Sequence, residues 1–230
     1  MKVLGIDTSN LVLSVAVVDD KQVLGEYTTN LKKNHSIRLM PAISMLLDEL
    51  GLAPEELNGI AIAHGPGSYT GVRIGLTTAK SLAWALDIPI IGISSLEAIA
   101  SNSTYFPGMV SPLVDARRGQ VYTACFKNGE RMADDRIRLI ADWAAELKEA
   151  NQAVLFLGDD SALHKEVITE ALGDLAQFGP VEWNVPRAAF IARVGLQKLE
   201  KGEHVDLDTF VPEYLQLAEA ESKWLASQKK

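Results

Sequence analysis

The chain of 230 residues holds one cysteine, Cys125. A lone thiol cannot build a disulfide framework, which fits a reducing compartment. Cys125 stands in a strand-like stretch with no charged helper nearby, so it reads as a packed thiol and not as a nucleophile. Long hydrophobic runs are also missing, and no apolar stretch reaches membrane-spanning length. The opening MKVLGIDTS turns polar at Asp7, as a folded strand does, and lacks the long apolar region of a signal peptide. A cytoplasmic protein without membrane contact is the expectation. Clusters of Lys and Arg are absent, and 22 basic residues against 30 acidic ones leave a net charge of −8. Such a chain binds nucleic acid poorly by itself, so any such role needs a basic partner. Histidine is scarce: His35, His64, His164 and His204 are the full set, and none stands four residues from another. That spacing excludes a helical metal pair.

Hydrophobic residues make up 47% and charged residues 23%, enough for a sizeable core in one large domain or two small lobes. The most informative stretch is Ile60 to Leu86. A short apolar strand, Ile60 to Ala63, breaks at His64-Gly65-Pro66-Gly67 and gives way to a helix reaching Leu86, with Ser68 and Thr70 as candidate caps. Strand, Gly-rich turn and helix N-terminus can form an anion site or a plain turn. No Gly-Lys-Ser/Thr follows and the glycine spacing is not that of a dinucleotide fingerprint, so neither nucleotide motif is present. His64 is the one histidine beside a suspicious loop, and a structural hydrogen bond is the leading reading for it.

That helix carries two apolar stripes. Val72, Leu76, Ala79, Ala83 and Leu86 form one, and Ile74, Ser81, Trp84 and Ala85 the other. The helix expected over Asn34 to Leu50 is similar, with Leu39, Ile43, Leu46 and Leu50 on one stripe and Ile37, Met40, Ser44 and Leu47 on the next. Pro41 should loosen its first turns, and Met40 and Met45 read as packing residues. A surface helix needs one apolar face, so two suggest burial on two sides, by a partner or by a deep core.

The chain opens with a meander: strands at Val3 to Ile6, Leu11 to Val18 and Gln22 to Thr29. Asp7-Thr8-Ser9 sits at its first turn, where a carboxylate and two hydroxyls can hold a metal-bound phosphate or satisfy the turn's own backbone. Pro89 to Ile93 reads as a strand and Ser94 to Ser101 as a short helix. The polar stretch Ser101 to Gly108 is the best lobe boundary. The pattern then begins again. Strands are expected at Met109 to Val114, Gln120 to Lys127 and Glu130 to Ile140, with Asp115-Ala116-Arg117-Arg118-Gly119 at the first turn and the hairpin signal Asn128-Gly129 at the second. A helix over Ala141 to Ala150, a strand at Ala153 to Leu157 and a helix over Asp159 to Leu172 follow, with Asp159 and Asp160 as N-caps. An amphipathic helix spans Pro186 to Lys201, Phe210 to Leu217 reads as a last strand, and Ala218 to Lys230 as a polar helical tail. Strand, Asp-bearing turn, strand, hairpin, strand and helix thus occur twice, which argues for a duplicated architecture.

With GIDTS at one turn and PLVDARRGQVY at the other, the repeated meander resembles the superfamily of actin-like, Hsp70-like and sugar-kinase ATPases. A finer match runs through GIDTSN, KKNHSIRLMPAI, HGPGSYTGVRIGLTTAKSLAWAL, GISSLEAIA, DARRGQVYTACF, FLGDD and PEYL, which cover nearly the whole chain. These segments resemble the TsaB family, in wording close to a Gram-positive member. The resemblance implies an α/β fold of two tandem actin-like (ASKHA, ribonuclease H-like) lobes, each a mixed sheet with flanking helices. Residues 1–105 would form the N-terminal lobe, joined by the tail 215–230, and residues 106–214 the smaller C-terminal lobe.

It also implies a non-catalytic scaffold subunit of the complex that installs threonylcarbamoyl on N6 of adenosine 37 in tRNAs reading ANN codons. The catalytic paralogue, TsaD, carries a His-x-x-x-His metal pair, and aligning GISSLEAIA to that segment puts Ser95 and Ile99 at the two positions, so no metal and no cofactor is implied. The implied partners are TsaD, the ATPase TsaE, a second copy of the chain when alone, and tRNA through the complex. The implied TsaD face draws on the first two helices: His35, Ile37, Leu39, Met40, Ile43, Leu47, Tyr69, Val72, Arg73, Leu76, Thr77 and Lys80. Gln216 stands where relatives often carry Arg. The alternative is an ATP-binding or ATP-hydrolysing enzyme of the same superfamily, with Asp7, Thr8 and Ser9 as nucleotide-site candidates. A metallopeptidase, the older label for relatives, is disfavoured by the missing histidine pair.

Overall fold

The computed structural model describes residues 1–216. The first half contains β1 (Val3–Asp7), β2 (Val12–Val18), β3 (Val23–Asn30), α1 (Leu39–Glu49), β4 (Gly59–Ala63), α2 (Tyr69–Leu86), β5 (Ile90–Ile93) and α3 (Ser95–Ala100). The second contains β6 (Met109–Arg117), β7 (Gln120–Lys127), β8 (Glu130–Leu139), α4 (Ile140–Glu149), β9 (Val154–Leu157), α5 (Lys165–Leu172), β10 (Ala176–Phe178) and α6 (Ala188–Glu200). The strands form two five-stranded sheets, ordered β3-β2-β1-β4-β5 and β10-β9-β6-β7-β8. In each, the first strand pairs antiparallel with the second and parallel with the fourth. Read from opposite ends the two orders are the same, so the duplication visible in the sequence is a duplication of topology. These are the two mixed sheets with flanking helices expected of ribonuclease H-like lobes.

Alternation along β1 sorts the first core. Leu4 and Ile6 face α1 and α2 with Leu13, Val15, Ile60 and Ile62. Val3 faces the other way with Ala61, Ala63, Ile91 and Ile93, and meets Ile191, Ala192 and Leu196 of α6. A strand buried on both faces is what its unbroken apolar run requires. In the second sheet, Leu113, Val121 and Phe156 pack against Trp143, Leu147, Ile168 and Leu172 of α4 and α5. The opposite face is covered by Leu96 and Ile99 of α3, which meet Val110, Ala124, Phe126, Leu155 and Leu157. Ala98 of the same helix packs instead with Ala61, Ala63, Ile91 and Ile93 of the first sheet, so α3 lies between the sheets and belongs to both cores.

Several sequence-based expectations are corrected here. The helix of Pro186 to Lys201, assigned to the second lobe, packs on the first sheet: Gly5 has no Cβ where one would come within 2.9 Å of the Ala192 Cβ. The first helix is split into a 3-10 turn, His35–Ile37, and α1, and Asn34 caps the turn by accepting from Ser36 N–H at 3.0 Å. Pro41 then falls in the first turn of α1, where a missing N–H breaks no helical bond. Asp159 to Leu172 is likewise a 3-10 turn, Asp159–His164, followed by α5. No strand forms over 210–216; the polar tail from Ala218 lies outside the described residues.

α6 has no side-chain cap of its own. Its first amides are taken by the sheet: Ala188 N–H donates to Ser14 Oγ at 3.0 Å and Ala189 N–H to Glu26 Oε1 at 3.1 Å. Arg187 Nε donates to Glu26 Oε2 at 2.8 Å, with Nη2 on the same oxygen. Glu26 is 9% exposed in its side chain, so its removal leaves a helix amide and a guanidinium without their acceptor. Glu26→Ala is expected to cost about 2 kcal/mol, measured by urea denaturation, while the exposed Glu49→Ala stays within about 0.5 kcal/mol of the parent.

Candidate functional site

Two places concentrate polar or exposed apolar residues in an unusual way. The first is the turn after β1. Asp7, Thr8 and Ser9 are all buried, because the head of α2 lies directly on them. Ser68 N–H donates to the Ser9 carbonyl at 2.6 Å, and Thr8 Oγ1 donates to the Gly71 carbonyl at 2.8 Å. Gly67 and Gly71 make this approach possible, since a Cβ on either would overlap the Ser9 or Thr8 carbonyl oxygen. Asp7 Oδ1 accepts from Ser9 N–H at 2.7 Å, whereas Asp7 Oδ2 and Ser9 Oγ are buried without a hydrogen-bond partner. Burial pushes the Asp7 carboxyl up to about 6, against the smaller opposing pull of the Ser9 amide and the nearby hydroxyl. Ser68 alone caps α2, accepting from Gly71 N–H at 3.3 Å; Thr70 is exposed inside the helix.

The second place is the outer face of α1 and α2. Leu39, Ile43, Leu47, Val72 and Leu76, expected from the resemblance to meet a partner, are no more than 5% exposed, and all but Val72 belong to the first core. They cannot meet a partner without unfolding. Periodicity showed two stripes per helix but could not say which one the chain's own sheet uses. The stripes left outside carry Ile37 (71% exposed), Met40, Met45, Tyr69 and Trp84 (80% exposed). Ile37, Met40 and Tyr69 were expected at the face. Met45, a packing residue by sequence, and Trp84, on the second stripe but outside the expected face, are exposed beside them. The large aromatic among Ser81 and Ala85 was the signal available in the sequence.

Polar members of the expected face are distributed differently. Thr77 is exposed. The Arg73 guanidinium lies 3.9 Å from the Tyr69 ring centroid, and its Nε donates to Tyr214 Oη at 2.6 Å. Tyr69 and Tyr214 stack at 5.0 Å, so the head of α2 presents a preformed aromatic and cationic group. Lys80 is turned to the Phe210 carbonyl at 2.9 Å. His35, half-buried, contacts the Asn10 carbonyl through Nε2 at 2.8 Å.

The positions aligned to the paralogue's histidines are occupied structurally. Ser95 Oγ accepts from Gly65 N–H at 3.2 Å, and Ile99 is buried between the sheets. Among the described residues no three His, Cys, Asp or Glu side chains converge where a metal could sit. At the second lobe's turn, Asp115 Oδ1 lies 3.1 Å from His164 Nε2, and Asp115 N–H donates to Asp160 Oδ2 at 2.9 Å. Asp159 Oδ2 accepts from Asn30 Nδ2 at 2.7 Å, joining the lobes. Asp159 and Asp160 are thus tethers, not the helix caps expected. Cys125 is buried, and burial pushes its thiol up to about 11, which suits a packed thiol. Among the described residues no helix is long and apolar enough to cross a membrane.

Comparison with known proteins gives these features a family. A family model described as "TsaD: tRNA N6-adenosine threonylcarbamoyltransferase" matches residues 22–224. The Bacillus subtilis tRNA threonylcarbamoyladenosine biosynthesis protein TsaB is 50% identical over 233 aligned positions, covering 100% of both chains. A Pseudomonas aeruginosa crystal structure, described as an uncharacterized protein with similarity to peptidase YeaZ, superposes with a TM-score of 0.79 at 26% identity, covering 94% of this chain and 99% of that one. A ROK hexokinase from Thermus thermophilus, at 12% identity and a TM-score of 0.51 over 85% of this chain and 100% of its own, shares the actin-like fold alone. Identity along the full length to a TsaB, on a fold of two matching actin-like lobes and inside the range of the TsaD family model, means that this chain belongs to the TsaB family of tRNA threonylcarbamoyladenosine biosynthesis proteins.

Proposed function

We propose that this chain is a non-catalytic subunit of the machinery that installs threonylcarbamoyl on N6 of adenosine 37 in tRNAs reading ANN codons, and that it acts by docking onto TsaD through the outer faces of α1 and α2. One observation carries the reading: large apolar side chains, Met40, Met45, Tyr69 and Trp84, stand exposed on two helices that already fill one face of their own sheet, with Ile37 exposed on the 3-10 turn before the first. Exposed apolar clusters on a folded chain mark contact surfaces, and aromatic and Arg anchors such as Trp84, Tyr69 and Arg73 dominate such contacts. When TsaD is absent, a second copy can cover the same face. Ser95 and Ile99 support the non-catalytic part, since a hydroxyl engaged with backbone and an alkyl chain supply no metal site. With a net charge of −8, the chain leaves tRNA to its partners. TsaE joins the same assembly, in the cytoplasm.

The alternative, a nucleotide-using enzyme built on Asp7, Thr8 and Ser9, is disfavoured because α2 covers that turn. Purified TsaD, TsaE, the carbamoyl-adenylate supplier, ATP and tRNA, assayed with and without this chain, separate the two. Trp84→Asp and Met40→Asp are expected to weaken association with TsaD at least tenfold, and activity with it, at an unchanged melting temperature. Threonylcarbamoyl transfer by the pure chain, or full complex formation by both variants, would overturn the proposal.

A further inference from the structure

The last described stretch, 205–216, forms no helix or strand beyond one bridge, yet it is tied down along its length. Val205 N–H donates to the Ile90 carbonyl at 3.1 Å, in a single antiparallel bridge at the edge of the first sheet. The Phe210 ring covers Gly92, where a Cβ would come within 2.8 Å of it, and lies 5.7 Å from the His64 ring. Glu213 N–H donates to the His64 carbonyl at 2.9 Å, and Glu213 Oε2 lies 3.3 Å from His64 Nε2. Tyr214 meets Arg73 on α2, and Gln216 Oε1 accepts from Tyr122 Oη of the second lobe at 3.2 Å. The segment therefore crosses the carboxyl ends of β4 and β5, where open α/β sheets take their ligands, and ends against the other lobe.

Its ionisable fastening is His64 with Glu213. His64 Nδ1 lies 2.9 Å from the Ile93 carbonyl, an acceptor that requires a proton on Nδ1. A neutral imidazole with its proton there turns a lone pair towards the Glu213 carboxylate. Only the imidazolium satisfies both contacts. The neighbouring charges are Asp135 and Arg131 on β8 and Glu97 on α3. Arg131 pairs with Asp135 and with Glu97, the latter at 3.2 Å.

We propose that segment 205–216 is a proton-operated latch across the carboxyl ends of β4 and β5, closed when both ring nitrogens of His64 carry protons and released at its Glu213 end when Nε2 loses its proton. Burial works against the charged ring, but Glu213, the Ile93 carbonyl and Asp135 outweigh it and hold His64 above its usual 6.5. The contact with His64 holds Glu213 below its ordinary value, although burial opposes this. The signs follow from linkage. The His64 contribution is complete below 6.5 and disappears as pH rises through the raised value. The Glu213 contribution is present above its ordinary value and disappears as pH falls through the lowered one. The latch is firmest in the mildly acidic window between them.

The test is amide hydrogen exchange of the full chain from pH 5.5 to 9, corrected for intrinsic rates, with the His64 ring titration followed by NMR. Protection of the Glu213 amide is expected to fall at least tenfold across that titration. In Glu213→Gln, His64 should titrate at a lower pH and the step should vanish, whereas Tyr122→Phe should keep it. Flat protection through the His64 titration, or a step that persists in Glu213→Gln, would overturn the proposal.

Discussion

Alanine at position 71 is expected to destabilise the protein by about 3 kcal/mol or more, against what helix propensity alone predicts. In an exposed helix interior, Gly→Ala stabilises by up to about 1 kcal/mol. Gly71 lies in the first turns of α2 with the Thr8 carbonyl oxygen where its Cβ would be. Both groups are backbone, so no side chain can swing aside. Either α2 lifts or the turn after β1 shifts, and either movement strains the Ser68 to Ser9 and Thr8 to Gly71 hydrogen bonds. Urea denaturation would show the loss in the midpoint, and hydrogen exchange should locate it at the start of α2. Gly51→Ala is the control: the site is open, so only its φ of +63° opposes a side chain, at about 1 kcal/mol. If Gly71→Ala costs no more than Gly51→Ala, the close seating of α2 on the turn is wrong.

Asp7→Asn is expected to act in the other direction and to stabilise the protein at neutral pH. A carboxyl whose native value is raised to about 6 from an ordinary 3.8 binds its proton more tightly folded than unfolded. Stability is therefore highest below the unfolded value, declines as pH rises between the two, and remains diminished above about 6. A rise from 3.8 to about 6 corresponds to about 3 kcal/mol at pH 7 to 8. Asparagine keeps an oxygen for the Ser9 amide and never ionises. The difference in unfolding free energy between Asp7→Asn and the parent should grow from pH 4 to about pH 6.5 and then level off. A variant less stable than the parent at pH 8 would show that the Asp7 charge is stabilised by something other than the turn.

Much of the fold was legible because each element carried its own signal. β2, from Val12 to Val18, is apolar on both faces and becomes a strand buried on both sides. Strand, Asp-bearing turn, strand, hairpin and strand come in the same order in both halves, and the sheets repeat that order. What was not legible depended on distance along the chain. Nothing local to Ala188 says that its helix packs on Gly5, because the reason lies in a missing Cβ more than 180 positions away. The α1 and α2 face was half legible for a related reason. Two stripes per helix were evident, but choosing between Leu76 and Trp84 requires knowing which stripe the sheet covers. The Asp159 and Asp160 side chains read as caps because capping is the local use of Asp at a helix start. Their partners, Asn30 and the Asp115 amide, come from other strands.

The position of α3 bears on movement. The two sheets stand like jaws on either side of it. Here one short helix is held by both: Ala98 sits in the first sheet's core, and Leu96 and Ile99 are fully buried against the second. Swinging the jaws apart would bare aliphatic surface worth about 1.5–3 kcal/mol for each side chain, on an element too short to flex. Such an axle does not turn freely. It acts as a wedge, and parting the lobes means pulling it out of one core or the other.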